Sequence, residues 1–251
     1  MALMDEFKEE RNAILKHGTL KEKTKYIWDY YKWHIILPIL AVACIIWYIV
    51  HLITATDIIL NGVFLNVYKT ESTTSGEELK EDFYKVQKID TSEEEITLNT
   101  NLYYSTDVIN GNYETLQVLM AWHSAGSLDF IGGDLPTLTD FTYRGYFCDL
   151  RDILTEEQIA KYEPYFLYMD QDFYIRRSEM ASNMEDVSSL EYPDCTKPDE
   201  MVEPIPVLID MKQSEKFSKL YAKRPEIMAF GITANVENKE VTLSFLDYLF
   251  E

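Results

Sequence analysis

The sequence predicts an α/β fold, a mostly parallel sheet with flanking helices, carried behind a single transmembrane helix. Three observations predict it. The run from Ile35 to Ala55, IILPILAVACIIWYIVHLITA, holds no Asp, Glu, Lys or Arg over 21 residues. Beyond it, short apolar and β-branched stretches alternate with stretches of helical period. That alternation continues to the C-terminus without an internal repeat or a low-complexity tract, which points to interleaved rather than segregated strands and helices.

The apolar run comes first in the argument. At about 1.5 Å per residue it makes a helix about 31 Å long, close to the hydrocarbon thickness of a bilayer. Lys16, Lys21, Lys23, Lys25 and Lys32 precede it closely, while Lys69 alone follows within the next 20 residues. Basic residues stay on the cytoplasmic side, so the expected N-terminus is inside and the C-terminal part outside the cell membrane. Tyr26, Trp28, Tyr30, Tyr31 and Trp33 form an aromatic belt before the span. The run is longer than the apolar core of a signal peptide, and 34 residues precede it. Ala41-Val42-Ala43-Cys44 resembles a lipoprotein cleavage site only loosely, because apolar sequence continues through Tyr48. The run therefore reads as an uncleaved anchor. Three regions follow: a cytoplasmic helical tail at 1–34, a span at 35–55 and an extracytoplasmic α/β domain at 56–251.

Charge separates these regions. The chain carries −20; residues 1–34 hold seven basic and six acidic groups, so residues 56–251 hold a net −21. Such a surface repels nucleic acid and anionic headgroups, and it suits cationic partners. Of three cysteines, Cys44 lies in the span, and Cys148 and Cys195 lie outside, where a pair could oxidise if their backbones approach.

The elements follow in order. Residues 4–16 read as a short amphipathic helix. Thr19-Leu20-Lys21-Glu22 is a capping box that starts a second helix running into the membrane. Ile58–Val67 is strand-like. Thr74-Ser75-Gly76-Glu77 opens a helix with Leu79, Phe83 and Val86 on one face. Ile96, Leu98, Leu102 and Tyr104 alternate with Thr97, Asn99, Asn101 and Tyr103 as a half-buried strand. After the Asn110-Gly111-Asn112 turn, Tyr113, Leu116, Met120 and His123 recur at helical spacing. Leu128–Ile131 is a short strand ending in Gly132-Gly133-Asp134, and Pro136 begins a helix that Gly145 ends. Thr155-Glu156-Glu157-Gln158 caps another helix. Residues 176–204 read as a long irregular excursion with room for short helices. Ile205–Ile209 and Ile227–Thr233 are strands, Ser214 caps a short helix, and Asn238–Phe250 closes the chain as a helix.

Chemistry has few candidates. Gly132, Gly133 and Asp134 sit between a strand and a helix, where open α/β sheets bind ligands; the same turn also reads as a plain strand-to-helix link capped by Asp134. With Tyr104, at the end of another strand, they are the candidate ligand-binding residues. His123 is the one histidine beyond the span, and no H-E-x-x-H or C-x-x-C occurs, so no metal or cofactor is implied. Ser124 and Ser127 lack a nucleophile-elbow context, and the many carboxylates lack a calcium-loop pattern. The tyrosines between Tyr143 and Tyr174 are dense enough for stacking platforms but read first as packing. The chain is therefore not expected to be an enzyme.

The run YETLQVLMAWHSAGSLDFIGGDLPTLTDFTYRGYFCDLRDIL, Tyr113–Leu154, resembles the first lobe of bacterial extracellular solute-binding proteins. The matching parts are the strand Leu128–Ile131, the helix Leu138–Arg144 and Gly145-Tyr146-Phe147-Cys148-Asp149-Leu150. The tail, PIPVLIDM and FGITANVENKEVTLSFLDYLF, is similar to that family's return to the first lobe. Tyr30–His34, YYKWH, resembles the anchor of single-span proteins of Gram-positive bacteria. The resemblance implies a one-lobed periplasmic-binding-protein-like fold. Only 49 residues lie between Leu154 and Pro204, too few for a second lobe of comparable size. The expected function is therefore a non-enzymatic, membrane-anchored binding or interaction domain with a protein partner or a transporter beside it. The alternatives are a solute-binding component delivering sugar or peptide to a transporter, and a surface hydrolase with a carboxylate pair.

Overall fold

The structure, a computed structural model, describes residues 16, 18–54, 56–70, 73–106, 112–187, 190–222 and 226–251. All but residue 16 of the helix expected over 4–16, and the Asn110-Gly111 part of the expected turn, lie outside these. The chain divides into two units, Met1–Ala55 and Thr56–Glu251.

Among the described residues of the first unit a long helix, α1 (Leu20–Thr54), runs without a break. It begins directly after Thr19, where the capping box predicts. Within it Tyr31–Val50 is long and apolar enough to cross a membrane. Leu37, Ile39, Leu40, Ile45, Ile46 and Trp47 are all exposed. Apolar residues all round a helix suit lipid rather than water.

The second unit is an α/β sandwich on one open six-stranded sheet, in the order β2-β1-β3-β6-β5-β4. The strands are β1 (Asp57–Phe64), β2 (Glu94–Asn99), β3 (Phe130–Asp134), β4 (Phe166–Asp170), β5 (Pro204–Asp210) and β6 (Met228–Ile232). β1 runs parallel to β2 and β3, but β6, β5 and β4 join antiparallel to their neighbours. The sheet is thus mixed, not mostly parallel as expected. Alternation of strands and helices does not encode direction. The link from β5 to β6 carries only a five-residue helix, α8 (Glu215–Lys219), too little for a full crossover.

One further expectation is corrected: β4 falls where no strand is expected. The excursion, read with room for short helices, begins in helix, since its residues up to Ser182 belong to α7 (Gln171–Ser182). Further along that excursion Cys195 lies at the open edge of β4, where the Tyr168 N–H donates to Cys195 O at 2.8 Å, so part of this edge is covered.

Helices cover both faces. On one lie α2 (Gly76–Gln87), α5 (Leu150–Ile153), α6 (Glu156–Tyr162), α8 and α9 (Lys239–Phe250); on the other lie α3 (Tyr113–Ser124) and α4 (Leu135–Thr142). α2 starts on a complete capping box, one residue later than expected: Ser75 and Glu78 bond each other's backbone N–H. Leu79 and Phe83 are buried, but Val86 is exposed. In α3 the buried residues are Thr115 and Leu119, while Tyr113 and Met120 face solvent, so the expected stripe is rotated. The α6 box at Thr155 and Gln158 forms with both arms.

The first face is built from phenylalanines: Phe64, Phe83, Phe130, Phe217, Phe230 and Phe245 are fully buried. Glycines in the sheet make room for them. A Cβ on Gly62 would lie 1.9 Å from the Phe130 ring, and one on Gly132 would lie 2.8 Å from Phe64. Cys148 packs against this face and Cys195 against the other, and both thiols are free.

Candidate binding face at the strand carboxyl ends

β1 sends its chain first to β2 on one side and, through β2, to β3 on the other. The carboxyl ends of β1 and β3 therefore flank a switch point, where open α/β sheets place ligands. What fills this position is the chain itself. After β1 the Leu65 N–H donates to Gly132 O at 2.8 Å, and Asn66 takes the left-handed conformation, φ 60°. Asparagine tolerates that region better than most residues. Its Nδ2 donates to Asp134 Oδ2 at 2.8 Å and to Thr137 Oγ1 at 3.2 Å. Its Oδ1 accepts the Tyr104 N–H at 2.9 Å. Asp134 also accepts the Thr137 N–H at 3.0 Å and so caps α4.

Gly132, Gly133, Asp134 and Tyr104 are thus brought together around the switch point. Each side chain or missing side chain is engaged within the fold. A Cβ on Gly132 would meet Phe64 and Phe217 at 2.8 and 3.0 Å, and one on Gly133 would meet Leu138 at 2.9 Å. Replacing Gly132 by Ala is expected to cost about 2 kcal/mol through overpacking, read as a lower unfolding midpoint whether or not a ligand is present.

Tyr104 points inward to a buried carboxylate. Its Oη donates to Asp140 Oδ2 at 2.6 Å; Tyr192 Oη donates to Oδ1 at 2.9 Å, and Arg144 Nε to Oδ2 at 2.8 Å. Burial pushes the Asp140 carboxyl upward, but the bonds from Arg144, Tyr104 and Tyr192 outweigh it and leave it below its ordinary range. Tyr143 stacks on Tyr192 at 4.9 Å, and Arg177 Nη1 donates to Tyr143 O at 2.8 Å. Tyr143, Tyr146 and Tyr162 are buried, so these members of the tyrosine-dense stretch pack.

Asp129, at the other end of β3, is a second buried carboxylate. It accepts the Asn61 N–H at 2.7 Å and the Asn238 N–H at 3.4 Å at the start of α9. Burial raises its pKa. Asp247 anchors the far part of α9, accepting from Gln158 at 2.8 Å, Lys161 at 2.8 Å and Tyr162 at 2.5 Å.

His123 stacks on Tyr146 with ring centroids 4.4 Å apart. Its Nδ1 and the Tyr146 Oη are buried without hydrogen-bond partners among the described residues. Burial lowers the His123 pKa and pushes the Tyr146 phenol up to about 12. A depressed histidine pKa means that the folded state favours the neutral ring. The associated stability is present above the ordinary value of about 6.5 and is lost as pH falls through the depressed folded value. His123→Phe keeps the stack and removes the unpartnered nitrogen. It is expected to raise stability by about 1 kcal/mol at neutral pH, and to flatten the decline in unfolding midpoint on acidification.

Sequence reasoning missed the exposed part of this end. Tyr68 and Tyr103, after β1 and β2, are 62% and 41% exposed, with ring centroids 5.4 Å apart. Lys69 Nζ donates to Asn101 Oδ1 beside them at 2.7 Å. The alternation of residues 100–104 carried the signal, because it puts Asn101 and Tyr103 on the polar side of the strand pattern. No group of three or more His, Cys, Asp or Glu side chains among the described residues is placed to hold a metal ion. Comparison with protein-family models, curated proteins and solved structures gives no match.

Proposed function

We propose that this chain is a single-pass membrane protein that holds a non-enzymatic α/β binding domain outside the cell, with its N-terminus in the cytoplasm. In this reading the domain corresponds to one lobe of an extracellular solute-binding protein. It engages a protein partner or surface ligand on the face at the carboxyl ends of β1 and β2. The observation that carries the reading is the contrast at the switch point. The crevice is filled by Asn66, Asp134 and Tyr104, while the rim beside it exposes Tyr68 and Tyr103. A filled crevice gives a surface for docking rather than a chamber for swallowing a solute.

Two further observations support it. Residues 155–203, where a second lobe would have to be built, add β4 to the edge of the same sheet. Asp129 and Asp140 are each engaged by donors of their own fold, as expected of carboxylates that hold structure. This favours the reading over a solute-binding transporter component and over a hydrolase.

Thermal-shift titration of the full chain in detergent micelles tests the choice. The proposal predicts no shift with free sugars, amino acids or divalent ions. A solute at about 100 times its dissociation constant adds about 2.7 kcal/mol, so a clear rise with any of them would favour the transporter reading instead.

A further inference from the structure

The part of α1 ahead of its apolar stretch carries a stripe of lysines. Residues 16–34 hold Lys16, Lys21, Lys23, Lys25 and Lys32 against Glu22 and Asp29, in a chain whose net charge is −20. Because α1 is continuous from Leu20, the angular position of each residue along it is fixed. Lys21, Lys25, Trp28 and Lys32 follow one another at steps of four, three and four residues. They fall within about 60° of the helix circumference. Lys21, Lys25 and Trp28 are exposed, and Lys32 is half-buried. Asp29 stands off this stripe, and none of the three lysines is ion-paired among the described residues.

Depth along the helix says what meets this stripe. Tyr31–Val50 is the stretch fit to cross a membrane. At about 1.5 Å per residue, Trp28 lies about 4.5 Å and Lys25 about 9 Å outside Tyr31. The headgroup layer on each side of a bilayer is about 5–7 Å deep. Lys32 stands at the edge of the apolar stretch, where its stem can lie along hydrocarbon and its ammonium reach the phosphates. Lys21, about 15 Å from Tyr31, is about one Debye length beyond the headgroups. We propose that Lys25, Trp28 and Lys32, with Lys21 above them, form a docking site for anionic phospholipid headgroups of the cytoplasmic leaflet. The proposal rests on reading α1 as a membrane span with its N-terminus in the cytoplasm. An indole favours the headgroup layer, and cations on either side of it draw anionic lipids. A signal for orientation asks only that lysines lie on that side of the span; it does not ask that they share one face. A bound headgroup does.

The test uses the full chain reconstituted in phosphatidylcholine vesicles, with spin-labelled phosphatidylglycerol and spin-labelled phosphatidylcholine as probes. Electron spin resonance reads the share of each probe immobilised by the protein. Phosphatidylglycerol is expected to associate at least about threefold more strongly, a preference that shrinks as salt rises. A chain with Lys21→Gln, Lys25→Gln and Lys32→Gln should lose most of it. So should a chain with Thr24→Lys, Lys25→Thr, Lys32→Trp and Trp33→Lys, which keeps the charge and its depth but breaks the stripe. The proposal is overturned by equal association of the two lipids with the native chain, or by either variant keeping the preference. Equal association together with stripe-dependent binding of polyglutamate would overturn it in favour of an acidic protein partner. The vesicles are symmetric, so the outcome does not depend on which way the chain is inserted. If neither probe is immobilised, α1 does not span a membrane, and the reading beneath the proposal fails with it.

Discussion

Asp140→Ala is expected to lower the stability of the α/β unit by about 3 kcal/mol, because the buried Tyr104 hydroxyl loses its acceptor and the charge-assisted bonds from Tyr192 and the exposed Arg144 are broken. At about 2–4 °C per kcal/mol for a domain of this size, the unfolding midpoint should fall by about 6–12 °C. The substitution removes the acceptor of three donors at once. Tyr104, Tyr192 and Arg144 all converge on the two oxygens of this carboxylate, and Asp140 is 5% exposed. It also unties two segments distant in sequence, because Tyr104 follows β2 and Tyr192 lies in the stretch after α7. Asp140→Asn keeps the shape and one acceptor and should cost less. The pH dependence has a definite sign. The folded carboxyl lies below its ordinary value, so its contribution is complete above about pH 4 and disappears as pH falls through the lower folded value. Asp140→Asn should remove this acid-side loss. A cost below about 1 kcal/mol for Asp140→Ala would be that of a surface side chain and would mean that the carboxylate is not the hub described.

Gly62→Ala carries the second large effect, about 3 kcal/mol from overpacking. A Cβ there would sit 1.9 Å from both Cε1 and Cζ of Phe130. That ring has nowhere to go. It is fully buried, stacks on Phe230 at 4.7 Å and Phe245 at 5.2 Å, and meets Phe64 edge-on at 5.3 Å. Making the change in a Phe130→Leu background should reduce its cost by at least about 1 kcal/mol, a coupling that denaturant unfolding of the four proteins in the cycle would measure. Additive costs would mean that the glycine is there for another reason.

Several elements of this fold are legible from local pattern, because local chemistry decides them. The capping residues Thr155 and Ser214 start their helices, the cap of α2 falls on Ser75 one residue past the expected Thr74, and β5, β6 and α9 occupy the predicted stretches. The α/β class follows from the alternation, and the apolar helix follows from composition. What periodicity does not carry is direction and partnership. Three antiparallel pairings arise in a sheet whose strands read like parallel ones, since strands buried on both faces look alike in either direction. β4 escapes because FLYMD is short and only its ends are buried, with Tyr168 and Met169 half-covered. The candidate residues Gly132, Gly133, Asp134 and Tyr104 do gather at one end of the sheet. Their roles depend on Asn66, Phe64 and Phe217, which lie far from them in sequence. The exposed Tyr68 and Tyr103 likewise meet only because β1 and β2 are neighbours.

Labelling of single-cysteine variants in intact cells, with a membrane-impermeant maleimide, tests the account most directly. Met184, 96% exposed in the α/β unit, and Lys16, exposed ahead of α1, are the positions to change. With the native cysteines replaced by alanine, Met184→Cys should label on intact cells and Lys16→Cys only after permeabilisation. The reverse pattern, or a Met184→Cys chain recovered unlabelled in the soluble fraction, would contradict the account.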